Sequence, residues 1–251
     1  VLMGTTDVVM DHQEKKELQR KFINPELCDI TEALVYTEPY NDERGRNRVF
    51  PPIADFVKEK LYEDQGLHCE VAKLKMDFMT RAQSLIHGDL HTGSIFINEE
   101  STKVFDPEFC FYGPMGYDIG NVIANMIFAW ANGDAAGAAD FCKWVEDVLV
   151  DVINMTKEKM EKYYDEHVTD TMCRNELYKK YYMDTIIEDT SAVAGLELIR
   201  RIVGMANVKD ITTIADEAKR ARAEKICITA AIDFIKNRSD KKCGKCFLKT
   251  L

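Results

Sequence analysis

The sequence predicts a mainly α-helical domain that carries one small β-hairpin near its middle. Apolar residues recur at helical spacing over most of the 251 residues, a pattern typical of helices with one buried face. The exception is a stretch in which two short runs of strand formers, Ile95–Ile97 and Lys103–Phe105, flank the turn-forming residues 98–101. No repeat or linker interrupts the chain, so we predict one domain over residues 1–251.

In chain order, the helices expected before the hairpin differ in length. Strong helix formers predict a helix from about residue 12 to residue 22, and Asn24 followed by Pro25 predicts the cap and first turn of a second helix. Residues 37–52 are polar and broken, which predicts a loop. Two further helices are expected, and they cover residues 53–62 and 67–86.

After the hairpin the pattern is helical throughout. A strongly apolar helix is expected to start at residue 117 and end near Gly133. The expected helices beyond it cover residues 135–162, with a break near Asn154, then 170–184, 186–208 and 210–237, with Asp210 as the N-cap of the last. Within the domain we distinguish catalytic and metal loops (84–118), a helical substrate-binding part (119–237) and a loose basic tail (238–251).

Composition and charge exclude several classes of partner. The chain is 46% hydrophobic and 30% charged, and its net charge is −10. Such an acidic protein is unsuited to broad electrostatic binding of nucleic acid or anionic membrane. No apolar run approaches the ~20 residues that a membrane span needs, and the first residues do not resemble a signal peptide. We therefore expect a cytoplasmic protein that binds neither nucleic acid nor membrane.

The eight cysteines are scattered, and we expect most of them to be reduced, buried thiols. Cys243 and Cys246 form a lone CxxC motif in the basic tail. A zinc site would need two further ligands, which the neighbouring sequence does not supply. We therefore favour a tail without a metal or redox site.

Two acidic motifs flank the hairpin and carry the chemistry. Asp89 follows His87 and Gly88 on one side, and Asp106 and Glu108 follow the second strand. A hairpin of this length would bring Asp89 and Asp106 to the same end. Phosphoryl transfer needs one carboxylate that orients a hydroxyl and others that hold Mg²⁺ on nucleotide phosphates. Asp89 suits the first role, and Asp106 and Glu108 suit the second, because alternate residues of an extended segment face one side.

Simpler interpretations stand beside this one. Asp89 taken alone is as well explained as an ordinary loop acid, and Asp106 as a turn residue before Pro107. A metallohydrolase is the other chemical alternative, because His87, Asp89 and His91 alternate like metal ligands. The remaining histidines lack ligand spacing, so we favour phosphoryl transfer.

A longer string makes the sequence resemble a known family. HGDLHTGSI followed by FDPEFCFYGPMGYDIGNVIAN closely resembles the 5-methylthioribose kinase family, within the wider group of aminoglycoside- and choline-kinase-like phosphotransferases. The wider group usually reads HGDxHxxN, with Asn where this chain has Ser94. FINPELCDIT (22–31) and LIRRIVGMA (198–206) also look like this family, so the resemblance extends from about residue 15 to about residue 235.

The resemblance implies the C-terminal lobe of a protein-kinase-like α+β fold. It also implies ATP-dependent phosphorylation of the 1-hydroxyl of 5-methylthioribose, in methionine salvage, with Mg²⁺ as cofactor and a homodimer as the assembly. Asp89 would be the catalytic base and would contact the substrate hydroxyl. Asp106, Pro107 and Glu108 would hold ATP, with Asp106 and Glu108 on the metal.

The resemblance further implies that an arginine of the tandem pair Arg200–Arg201 contacts the substrate. Guanidinium is permanently charged and offers a planar fork of donors. Neighbours on a helix point about 100° apart, so we expect one arginine to reach the site and the other to pair with an acid, and we favour Arg200. Asp118 is expected to be structural, either capping the helix that it opens or bracing the catalytic loop.

The sequence also departs from the family pattern. A two-lobed kinase clamps ATP with a glycine-rich loop and a strand-borne lysine, and neither occurs here; before residue 66 the glycines are Gly4 and Gly45. We therefore expect the N-terminal lobe to be missing and this chain alone to bind ATP weakly or not at all. The alternatives are an inactive lobe that serves as a binding or assembly module, and a kinase for choline or an aminoglycoside. Choline would need an aromatic cage, for which Tyr112, Tyr117 and Trp130 are the candidates.

Overall fold

The computed structural model describes all 251 residues, and helices dominate it. The longer helices are α1 (His12–Lys21), α2 (Pro25–Tyr36), α5 (Gln65–Thr80), α6 (Gly116–Ala136), α7 (Ala139–His167), α8 (Glu176–Val203) and α10 (Glu217–Lys236). The short ones are α3 (Glu38–Asn41), α4 (Ala54–Val57), which continues as a π-helical turn (Lys58–Tyr62), α9 (Lys209–Thr212) and α11 (Gly244–Phe247). Single 3₁₀ turns occupy Met3–Thr5, Pro51–Ile53, Thr92–Ser94, Arg238–Asp240 and Leu248–Thr250.

Four short strands form two separate antiparallel pairs. The predicted hairpin is confirmed as β2 (Ile95–Ile97) and β3 (Thr102–Val104), with Ile95 opposite Val104. The second pair, β1 (Ser84–Ile86) with β4 (Phe111–Gly113), was not predicted. The expected helix over 67–86 therefore ends six residues early, because residues 84–86 pair with a strand that lies far away in the sequence.

The core forms where α8 lies between α6 and α10. A Cβ atom on Gly120 of α6 would lie 2.7 Å from the Thr190 carbonyl oxygen of α8, and one on Gly195 of α8 would lie 2.6 Å from the Ala231 oxygen of α10. The helix backbones therefore approach closely at these glycines. Leu196 and Leu198 of α8 are completely buried. This packing fixes the position of the C-terminal turn of α8, which carries Arg200 and Arg201.

Several predicted helix boundaries are wrong. The α8 helix runs unbroken through residues 184–186, beginning after Asn175, whose side chain accepts from the Tyr178 N–H. The α7 helix is also unbroken at Asn154, whose side chain accepts a hydrogen bond from the Gly244 N–H. The last long helix starts at Glu217, with Asp216 rather than Asp210 as its N-cap.

The tail after residue 237 is packed rather than loose. Phe247 is completely buried, and its ring centroid lies 5.3 Å from that of Phe234 on α10. Lys241 is 4% exposed and donates to Asp233. Burial of the apolar Phe247 and pairing of Lys241 hold this segment against the helical core. The basic composition of the tail had led us to predict a loose segment.

No helix in the structure combines the length and the hydrophobicity that crossing a bilayer would require.

Candidate active site

The loop after β1 is held by one buried carboxylate. Asp118, in the first turn of α6, accepts hydrogen bonds from the His87 N–H (2.7 Å) and the Gly88 N–H (2.9 Å). Burial raises the pKa of Asp118, although the two backbone donors oppose the shift. Of the two structural roles expected for Asp118, capping α6 or bracing the loop, these contacts support bracing the loop that carries Asp89. Because two successive amides are fixed, the loop presents Asp89 from a defined position.

The second acidic motif lies directly against this loop, as predicted. His87 Nε2 is 2.9 Å from the Phe105 carbonyl oxygen, and a Cβ atom on Gly88 would lie 2.3 Å from the Phe109 oxygen. Gly88 has φ 83°, a conformation that favours glycine. The two loops thus meet where only glycine fits both the backbone angle and the available space.

The Asp106–Glu108 segment is not extended, contrary to expectation. Asp106 has φ 65°, in the left-handed region, so the simple alternation that would place both carboxylates on one side does not apply. Asp106, Pro107 and Glu108 are all exposed, and neither carboxylate forms a hydrogen bond or ion pair within the chain. Both acids are therefore available to an external ligand.

Asn24 supports this segment from the start of α2. Its φ is 39°. Contrary to the prediction, its side chain makes no capping hydrogen bond to α2. Instead, Asn24 Nδ2 donates to the carbonyl oxygens of Glu108 (2.8 Å) and Cys110 (3.2 Å). One amide therefore holds the segment on both sides of Phe109. Asn24 lies in the family-like string 22–31, but its contact with the second acidic motif was not predicted.

The tandem arginines separate as the helical geometry predicts. Arg200 Nη2 lies 3.4 Å from Asp89 Oδ1, whereas Arg201 contacts only Glu197, to which its Nε donates at 2.9 Å. Arg200 Nε also donates to Glu197. Burial alone would raise the pKa of Glu197, but the charges of Arg200 and Arg201 outweigh burial and hold that pKa below its usual value. Glu197 was missed, although acids three and four residues before an arginine are helix-surface neighbours.

A small cavity opens beside Asp89. Its volume is about 60 Å³, and one wall is α2. The residues that line it are Ile30, Thr31, Leu34, Val35, Gly88, Asp89, Phe109, Tyr117 and Arg200. A larger groove of about 240 Å³ lies on another part of α2, but its lining includes none of these acids or arginines. The cavity at Asp89 is therefore the better candidate for chemistry.

The histidines do not form a metal cluster with Asp89. His91 Nε2 lies 3.6 Å from Asp89 Oδ2 and 3.4 Å from the hydroxyl of Ser94, which is 5% exposed. No group of three or more His, Cys, Asp or Glu side chains converges to hold an ion. The side chains of His87, Asp89 and His91 therefore do not converge on one point, although they alternate in sequence.

The sequence of this chain is similar to those of known phosphotransferases. Residues 21–149, just over half of the chain, match the phosphotransferase enzyme family, APH. The chain belongs to this phosphotransferase family. It is similar to methylthioribose kinases from Bacillus pumilus (36% identical, covering 94% of this chain and 58% of the relative) and Geobacillus sp. WCH70 (36%, covering 98% and 61%). Methylthioribose kinase 1 of rice, Oryza sativa subsp. japonica, is 37% identical over 91% of the chain and 56% of its own length. This phosphotransferase chain thus spans about three fifths of these relatives.

The phosphotransferase site has donors that fit a divalent cation bound together with phosphate. Mg²⁺ in nucleotide sites is held by one or two carboxylates, with water and phosphate oxygens completing its shell. Asp106 and Glu108 are exposed and unpaired carboxylates. Ser94, where the wider group has Asn, is buried against His91, which makes it a poor direct ligand.

Proposed function

We propose that this chain carries the catalytic centre of an ATP-dependent kinase that phosphorylates the 1-hydroxyl of 5-methylthioribose, giving 5-methylthioribose 1-phosphate in methionine salvage. The observation that carries the proposal is the contact of Arg200 with Asp89, on a loop that touches the segment carrying the unpaired carboxylates of Asp106 and Glu108. The names of the similar kinases support the choice of substrate.

Asp89 accepts the proton of the attacking hydroxyl in this proposal. A carboxylate that is paired with arginine is a weak base, but phosphoryl transfer relies chiefly on positioning and on charge stabilisation. Arg200 keeps its charge, because Glu197 and Asp89 surround it, and it is only 13% exposed. Its guanidinium orients Asp89 and offers donors to the phosphoryl oxygens.

Asp106 and Glu108 are proposed to hold ATP through Mg²⁺, which would neutralise phosphate charge when bound. Pro107 sets the spacing of the two carboxylates and lies on the same exposed segment. Asn24 acts by fixing the backbone at Glu108 and Cys110. These residues determine where the nucleotide phosphates lie relative to Asp89.

The volume of the cavity at Asp89 limits how much of the substrate it can enclose. Typical ligand pockets measure roughly 300–1,000 Å³, and the cavity at Asp89 is only about 60 Å³. The cavity is therefore proposed to take the reacting end of the sugar alone. Tyr112, Tyr117 and Trp130 are each 3–7% exposed, which does not support the exposed aromatic cage that choline would need.

The residues are further proposed to form the helical, C-terminal lobe of the kinase-like fold. Support comes from the two small sheets of this chain and from its coverage of about three fifths of the similar kinases. The assembly is expected to be a homodimer, and the location cytoplasmic; both stay predictions from the sequence.

A kinase assay tests the proposed function. ADP release is measured with 5-methylthioribose, choline and an aminoglycoside, for the 251-residue chain and for the longest product of its gene. We expect little or no turnover by the 251-residue chain alone and clear turnover with 5-methylthioribose by any longer product. In the active form, Asp89→Asn should lower kcat by roughly 10²–10⁴-fold. Glu99→Gln removes a charge from the exposed hairpin turn and serves as the matched control.

Three outcomes would overturn parts of the proposal. Turnover of only choline or the aminoglycoside would refute the substrate. Full activity of Asp89→Asn would refute the role of Asp89. If no form binds ATP or turns over any substrate, the alternative of an inactive binding or assembly module would be favoured.

A further inference from the structure

Cys243 and Cys246 meet at the surface, away from the candidate active site. Their Sγ atoms are 3.1 Å apart. Cys243 is exposed and Cys246 is half-buried, so solvent reaches the pair. The remaining cysteines do not contact one another in this way, and nothing in the phosphotransferase mechanism uses this motif.

The segment that carries the two thiols is anchored on both sides. The Gly244 N–H donates to Asn154 Oδ1 on α7 at 3.0 Å, and a Cβ atom on Gly244 would lie 2.6 Å from Val150 Cα. Phe247, one residue after Cys246, is completely buried. Because the backbone between and beyond the cysteines is fixed, the sulfurs are held in contact by the fold rather than meeting by chance.

The chemistry of Cys246 differs from that of the other thiols. Its pKa is lowered, chiefly because its sulfur accepts a hydrogen bond from the Cys243 thiol, and partial burial opposes this shift without reversing it. Burial instead raises the pKa of five other cysteines: Cys28, Cys110, Cys142, Cys173 and Cys227. Cys246 is therefore more readily present as the thiolate, and the Cys243 sulfur, 3.1 Å away, is placed to attack a mixed disulfide that forms on Cys246.

We propose that Cys243 and Cys246 form a redox-active dithiol that exchanges with low-molecular-weight disulfides such as oxidised glutathione. The Cys246 thiolate attacks one sulfur of the disulfide, forms a mixed disulfide and releases one glutathione thiolate. Cys243 then loses its proton, attacks Cys246 Sγ and releases the second thiolate. The pair loses two electrons and two protons, and one disulfide becomes two thiols.

Metal binding by the same pair is the less favoured reading. Structural zinc takes four protein ligands, and no third His, Cys, Asp or Glu converges on these sulfurs. The proposal is independent of the phosphotransferase activity, so either can fail without the other.

Glutathione redox buffers provide the test. The folded chain is equilibrated with mixtures of reduced and oxidised glutathione, alkylated and mapped by mass spectrometry. We expect a reversible cross-link between Cys243 and Cys246, seen as a peptide that lacks two hydrogens. Cys69, an exposed cysteine without a neighbouring thiol, is the internal control and should gain only a glutathionyl group. In Cys243→Ser, the adduct should remain on Cys246.

The same titration in urea shows whether the fold matters. The equilibrium constant for forming the cross-link should be at least about tenfold larger in the folded chain, because the anchored thiols are already in contact. Asn154→Ala should lower that constant in the folded protein. A stable glutathione adduct without cross-linking in the wild type, or an equal constant in urea, would overturn the proposal.

Discussion

Arg200 Nη2 lies 3.4 Å from Asp89 Oδ1, although 111 residues separate the two in sequence. The contact joins the last turn of α8 to the loop after β1. Glu197 holds the opposite side of the same guanidinium. Arg200 is therefore placed between a structural carboxylate and a candidate catalytic one, and it cannot move toward either without losing a contact on the other side.

Replacing Arg200 by lysine should damage activity far more than replacing Arg201. Lysine offers a point charge rather than a planar fork, so it cannot serve Glu197 and Asp89 together. We expect Arg200→Lys to lower kcat by roughly 10²–10³-fold, the range seen when one donor to a developing charge is removed. Arg201→Lys is the matched control, since Arg201 contacts Glu197 but not Asp89. Steady-state kinetics measures the loss of activity in both variants, and thermal unfolding shows whether they remain folded. Equal losses of activity would contradict the role of Arg200 at Asp89.

Gly88→Ala should displace the loop that carries Asp106 and Glu108. Its φ of 83° is strained for alanine, and the new Cβ would lie 2.3 Å from the Phe109 oxygen. Gly45→Ala separates backbone strain from the steric clash, because Gly45 has φ 63° but no atom within 4 Å of its Cβ position. Backbone strain alone should cost Gly45→Ala about 1–2 kcal/mol. Urea unfolding and nucleotide binding should show a larger loss for Gly88→Ala, and similar losses would argue against the close contact.

Asn24→Asp should weaken nucleotide binding with little effect on folding. Aspartate still tolerates the left-handed backbone of residue 24, but it replaces the amide donor by oxygens that face the carbonyls of Glu108 and Cys110. We expect KM for the Mg²⁺–nucleotide to rise by roughly tenfold, which corresponds to the loss of about one hydrogen bond, and kcat to change less. Asn41→Asp is the control, because Asn41 acts only as an acceptor, for the Glu43 N–H. An unchanged KM would remove Asn24 from the site.

The buried carboxyl of Asp189 should make stability fall as pH rises. Burial raises the pKa of Asp189 to about 6, and the charge and hydrogen bond of its partner Arg81 oppose that shift only in part. The folded state therefore keeps this proton to higher pH than the unfolded state. The stabilising contribution is complete below pH 3.8, the usual pKa of the group, and is lost as pH rises through about 6.

Asp189→Asn isolates that contribution. The difference in unfolding free energy between wild type and variant should shift by roughly 2 kcal/mol between pH 4 and pH 7, at 1.36 kcal/mol per unit of pKa. Urea unfolding at several pH values measures it. A difference that stays constant, or that grows in favour of the wild type at high pH, would contradict the raised pKa.

Local signals predicted much of the site and less of the fold around it. The hairpin was predictable because strand formers flank a turn within eleven residues, and Asp118 because it opens an apolar helix. Strands β1 and β4 were not predictable, since Ser84 pairs with Gly113 and neither run is long enough to carry a strand pattern. Asn24 and Glu197 were missed because their roles depend on partners rather than on residue type.

The sequence by itself determined the family, the acidic residues and the position of the tandem arginines, because these depend on short runs whose chemistry is local. Only the tertiary structure decided which arginine meets Asp89, that Asp106 has a left-handed backbone, and that the basic tail is packed with two thiols in contact. Those outcomes depend on how α8 packs between α6 and α10 and on where distant segments meet. Such long-range packing is set by the whole core, and no short stretch of sequence encodes it.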